Sequence, residues 1–229
     1  MRLRRGFSVC GMGNFLFQSF SFDRYRFLGI DNVVFNQIHR HKVDEILIIS
    51  PYSNPIINPF RSYNYDFFLN NYLGLPIIIG GNVQEKIIFD VLEKGCVERF
   101  MFSGSLQNKN NKIINKVKQL AGRQSIVGCL TLFIEHDEIY LLNHNHRGFS
   151  KLKEADIKNA YDLCDEVIFQ DVTAYGSNGG FRYDRILKII KFPNKSIING
   201  GCSESICKKA QADGLAAVYF DNMVMHSEK

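Results

Sequence analysis

No apolar run in this sequence approaches the roughly 18 residues that a membrane-crossing helix needs, so a transmembrane span is excluded. Cysteine forms no pattern: Cys10, Cys96, Cys129, Cys164, Cys202 and Cys207 make no C-x-x-C pair and no zinc spacing. In a chain of 229 residues that dispersion reads as small buried side chains in a reducing cytoplasm. A long basic run is lacking too. Lys+Arg exceed Asp+Glu by only 28 − 23 = 5, spread along the chain, which gives no nucleic-acid footprint. The one local cluster, "RLRR" at 2–5, precedes "GFSVCGMGNFLFQSF". Gly, Asn and Gln break that stretch and no persuasive cleavage site follows, so it is not read as a targeting signal.

What is present is a rhythm. Short apolar, β-branched runs recur at 6–10, 45–50, 76–79, 98–103, 125–130, 166–171, 196–199 and 216–220, which makes eight expected strands. Between them, apolar residues fall at helical spacing over 32–41, 84–95, 111–122, 152–164, 183–190 and 203–214. Gly95, Gly122 and Gly214 stand where helix C-caps belong. Continuous apolar strands alternating with helices indicate an α/β fold with a parallel sheet covered by helices. Eight repeats suit a single-domain (β/α)8 TIM barrel over 1–229; an open doubly wound sheet is the competing architecture.

An internal repeat favours the barrel. Asp44-Glu45 recurs as Asp165-Glu166 at an offset of 121 residues, Gly80-Gly81 as Gly200-Gly201 at 120, and Gly95 as Gly214 at 119. Three landmarks at nearly one offset describe two (βα)4 halves, about 1–122 and 123–229. One segment interrupts the rhythm: "TLFIEHDEIYLLNHNHRG" at 131–148 reads as a hairpin inserted after strand five. The Gly-Gly pairs follow strands three and seven, on the face where barrel active sites lie. Glycine admits close backbone approach and following N–H groups attract anions, so the pairs are either tight turns or a grip for two phosphates.

In order and spacing, "VDEILIIS", "LPIIIGGNV", the hairpin, "DEVIFQDVTAYGSNGGFRYD" and "SIINGGCSES" resemble the HisF family, the cyclase subunit of imidazole glycerol phosphate synthase. The resemblance spans nearly the whole chain. It implies a two-fold barrel and a lyase of histidine biosynthesis fed with ammonia by a glutaminase (HisH-like) partner. The implied substrate is a small molecule phosphorylated at both ends, and no cofactor is implied. Residue by residue, it places one phosphate at Gly80, Gly81 and Ser103, and the other at Gly176, Gly200 and Gly201. Around the ammonia inlet it places Arg4 (or Arg5), Glu45, Glu98 and Glu166, a net negative ring; the family has a lysine in place of Glu98. Strand-start charges are also the ordinary solvated ends of strands.

The departures fall at the chemistry. Asn82 replaces a glycine of the first turn, and Asp221 and Asn222 replace small residues beside the second, where an ionised Asp221 would repel phosphate. The family's two catalytic aspartates fall at Cys10 (or Gly11) and Thr131, and a lysine falls near Gln18. Thr131 cannot exchange protons near neutral pH; Cys10 could in principle, but it reads as a buried side chain ahead of a nucleophile. Asp171, ending strand six, is a candidate acid/base or a loop cap. His144 and His146 alternate without a third ligand and read as polar loop residues, with no metal.

The expectation is therefore a cytoplasmic HisF-type subunit that passes glutaminase-derived ammonia to a phosphorylated or nucleotide-linked acceptor, as in paralogues of surface-sugar modification. A non-catalytic barrel that binds and activates an amidotransferase is the alternative. A histidine-pathway cyclase with relocated catalysts is a third reading. From Asn222 on, "NMVMHSEK" supplies one or two helical turns at most, so this side of the barrel is expected to be open or covered by a partner.

Overall fold

The computed structural model describes residues 2–12, 15–22, 24–30, 42–50, 74–81, 85–95, 97–107, 111–143 and 148–221. The expected helix over 32–41, Asn82, His144, His146, Asn222 and the closing segment after it lie outside them. Among the described residues twelve strands form one sheet: β1 (Arg4–Met12), β2 (Phe15–Phe20), β3 (Arg24–Ile30), β4 (Glu45–Ser50), β5 (Ile77–Gly81), β6 (Arg99–Phe102), β7 (Ile126–Glu135), β8 (Glu138–Asn143), β9 (Gly148–Lys151), β10 (Glu166–Asp171), β11 (Ser196–Asn199) and β12 (Ala217–Phe220). Eight of them pair in parallel in the order β1-β4-β5-β6-β7-β10-β11-β12, and β12 pairs with β1 to close a barrel. The helices are α1 (Glu85–Lys94), α2 (Gly104–Gln107), α3 (Lys112–Ala121), α4 (Glu154–Leu163), α5 (Tyr183–Leu187) and α6 (Glu204–Ala212).

The barrel strands read as unbroken apolar runs because both faces are covered. On β4, Ile46 and Ile48 join the outer core under the helices, while Leu47 and Ile49 join the inner one. On β10, Val167 and Phe169 face outward and Ile168 inward; on β12, Val218 and Phe220 face outward and Tyr219 inward. This is the period-two alternation of a strand with apolar residues on each side. Glycines close α1, α3 and α6: Gly95, Gly122 and Gly214 have φ of 66°, 82° and 74°, and the Gly122 N–H donates to Lys118 O at 3.0 Å. Among the described residues no helix is long and apolar enough to cross a membrane.

Two antiparallel additions rise from the C-terminal rim. β1 runs past the barrel to Met12 and pairs with β2, which pairs with β3. The eight strands expected from the sequence did not include 15–20 or 24–30. β7 likewise continues past Thr131 to Glu135, turns at His136 and Asp137 (φ 48° and 90°), and returns as β8. Two successive positive φ values at a two-residue turn match the twist of the paired strands. β9 adds to the free edge of β8.

Candidate functional site

At the C-terminal mouth the strand ends present small polar groups inward. Thr131 Oγ1 lies 3.4 Å from Ser103 Oγ and 3.5 Å from Gln170 Oε1, and the Cys129 thiol lies 3.8 Å from the same oxygen. Asn199 Nδ2 donates to Ser8 Oγ at 3.3 Å, and Ser8 shares a hydrogen bond with the Tyr175 hydroxyl. Tyr175 comes from the loop after β10 and packs with the inner core, its ring 4.6 Å from that of Phe22. A loop aromatic thus joins the inner core of the barrel. Gln18 Oε1, Gln170 Nε2 and Asn199 Oδ1 are buried without a hydrogen-bond partner, so the mouth holds both donor and acceptor capacity.

Each candidate catalyst has a definite environment. Cys10 is wholly buried and burial pushes its thiol well up, so it stays protonated and non-nucleophilic near neutral pH. Burial likewise pushes Cys129 up to about 12. Asp171 is wholly buried, and its Oδ1 accepts from the Thr173 N–H (3.0 Å), the Thr173 hydroxyl (2.6 Å) and the Ala174 N–H (3.4 Å). Its Oδ2 stands 3.8 Å from Arg182 Nη1. The carboxylate therefore caps the turn that carries Tyr175.

The two glycine turns are built alike but displaced by one residue. A Cβ on Gly81 (φ 87°) would fall 1.9 Å from Ser50 O, the end of β4; one on Gly200 (φ 108°) would fall 2.2 Å from Asp171 O, the end of β10. By contact, then, Gly81 corresponds to Gly200, and Gly80, beside Met101 in the barrel, corresponds to Asn199. The expected pairing of Gly80-Gly81 with Gly200-Gly201 is off by one because strand register, not dipeptide identity, fixes which residue points inward. Gly80, Gly81 and Ser103 stand together at the β5 and β6 ends. Gly176, Gly200 and Gly201 gather at the β10 and β11 ends, but around an occupant. The Asp221 carboxylate accepts from the Gly176 N–H at 2.7 Å and from the Gly201 N–H at 3.0 Å. Burial raises the Asp221 pKa to about 7, against the lowering effect of these amides.

At the opposite end four charges meet inside the strand starts. Arg4 Nη2 donates to both Glu166 oxygens at 2.5 and 2.6 Å; Arg99 donates to Glu45 and to Glu166; the Tyr219 hydroxyl donates to Glu45 Oε1 at 2.9 Å. Burial alone would lower the Arg99 pKa, but Tyr219, Glu45 and Glu166 raise it, so the guanidinium is held charged. Glu98 does not join. It is exposed, one residue outside β6, and Arg99 takes the inward position two residues before Met101. Arg5 turns outward to Glu204. The ring has two charges of each sign, in place of the expected net negative one. Arg99, Tyr219 and Tyr175 were missed by sequence reasoning; the inward parity of Met101 is the signal that could have found Arg99. Among the described residues no cluster of His, Cys, Asp or Glu could hold a metal. Compared with known proteins, the chain matches no family model and no curated sequence.

Proposed function

We propose that this barrel is a HisF-type subunit, which takes ammonia from a glutaminase partner at its N-terminal end and passes it to a phosphorylated or nucleotide-linked acceptor at the mouth. The charged ring carries the reading. A largely buried network of four ion pairs costs desolvation that apolar residues of similar size would avoid, so Arg4, Glu45, Arg99 and Glu166 are poorly explained by stability alone. They close the end of a barrel whose far end holds unpartnered polar atoms. Glu45 and Glu166, both bonded to Arg99, also support a two-fold (βα)4 ancestry. The Gly81 turn and Ser103 are an anion-ready place for the acceptor.

The tagged protein, purified from its own cells, is expected to bring down a glutaminase whose rate rises with one phosphorylated acceptor, with ammonia incorporated in the product. An eluate without glutaminase activity overturns the proposal. The second reading is a non-catalytic barrel that activates the amidotransferase. It is favoured by Tyr175 filling part of the inner core and by Asp171 spent on a turn. Thr131→Val separates the two: activity kept in this variant but lost in Glu45→Ala supports the activator.

A further inference from the structure

The amides that hold Asp221 come from separate loops. Gly176 lies after β10 and Gly201 after β11, and both have positive φ, 86° and 72°. Neither tolerates a side chain: a Cβ on Gly176 would meet Ser19 O at 2.4 Å, and one on Gly201 would meet Ala174 O at 2.4 Å. Two rigid N–H donors are thus aimed at one buried point, the geometry that binds an oxyanion. The anion found there is the chain's own. Asp221 is one residue past β12, 1% exposed, and its Oδ2 bridges the two amides while Oδ1 also accepts from Gly201 at 3.2 Å. Among the described residues no arginine or lysine accompanies it; the titratable side chains there that feel its charge are Cys10, Tyr175 and Cys202.

We propose that this nest is an oxyanion site which the chain fills with the Asp221 carboxylate, so that Asp221 sets specificity by excluding a second phosphate from the acceptor. The consequence for the acceptor rests on the function proposed above: its one anionic end is left to the Gly81 side of the mouth. The occupied nest itself rests on geometry alone. An external phosphate would have to displace a tethered carboxylate and then lie against it, two like charges within a low-dielectric pocket.

The probe is inorganic phosphate, read at the Gly176 and Gly201 amide resonances above the pH at which Asp221 ionises. In the wild type these amides are expected to stay unmoved as phosphate is added. In Asp221→Ala they shift saturably, with an affinity at least about tenfold above any wild-type response, since one like charge at contact distance is gone. A folded Asp221→Ala whose amides ignore phosphate overturns the proposal, as does wild type that binds phosphate there equally well. If Asp221→Ala does not fold, the wild-type amides decide. They are expected to shift together as Asp221 titrates, and not at all in Asp221→Asn; Cys10, Tyr175 and Cys202 all titrate higher. Amides that do not follow the carboxyl overturn the proposal. None of these readouts involves a glutaminase, so failure to capture that partner leaves the result on the nest intact, and the reverse also holds.

Discussion

Gly6 makes room inside the barrel for the ring of Tyr219, a wholly buried side chain of the inner core. A Cβ added there would lie 2.1 Å from Tyr219 Cδ1, and the Tyr219 ring cannot retreat without giving up its hydrogen bond to Glu45. Gly6→Ala is expected to destabilise the fold by about 1–3 kcal/mol, the usual cost of overpacking, measured by urea unfolding. The ring itself yields a sharper contrast. Glu166 holds both Arg4 and Arg99, so Glu166→Ala leaves two partly buried cations with Glu45 alone and is expected to cost about 1–3 kcal/mol. Glu98→Ala removes an exposed carboxylate and is expected to stay within about 0.5 kcal/mol. Equal losses in the two variants would return Glu98 to the ring.

Among the helices, α6 shows how local chemistry places the second turn. Ser203 is extended (φ −119°, ψ 170°) and its hydroxyl accepts from the Ile206 N–H, so it starts the helix two residues after Gly201. From there Ile206, Cys207 and Ala210 are buried against the barrel. Ser203→Ala is expected to cost about 1 kcal/mol through the lost cap, seen as a lower melting temperature. The rim elements have a different basis. β7 needs no break after Thr131, because Leu132 and Ile134 continue its buried alternation into the pair with β8. Phe133 meanwhile stacks with Phe149 on β9, ring centroids 4.9 Å apart.

The molecule as a whole carries a pH dependence through one carboxyl. Asp221 ordinarily titrates at 3.8; burial in the folded state raises it to about 7. Between these values the native protein keeps a proton that the unfolded chain has released, so unfolding is favoured as pH rises. The Asp221 contribution to stability is therefore expected to fall from about pH 4 to about pH 7 and to level off above it. Asp221→Asn, which cannot ionise, is expected to lose that slope. Parallel stability curves for wild type and variant across this range would show that the carboxyl is not perturbed.

The sequence by itself determined the eight barrel strands, their order and the glycine ends of the helices. Each strand is a β-branched apolar run, each glycine end is a left-handed residue, and these properties are local. It also put Glu45 and Glu166 at corresponding strand starts, since both open such runs. What only the tertiary structure decided is which residues face the axis. A strand buried on both sides carries no polar alternation, so parity could not be read within "ERFMFS", and Glu98 stood for Arg99 until Met101 showed which side was inside. The same holds at the mouth. Asp221 read as a charge that would repel a phosphate, but the Gly176 and Gly201 amides, 45 and 20 residues away in the chain, meet its carboxylate only when the barrel closes β12 between β11 and β1.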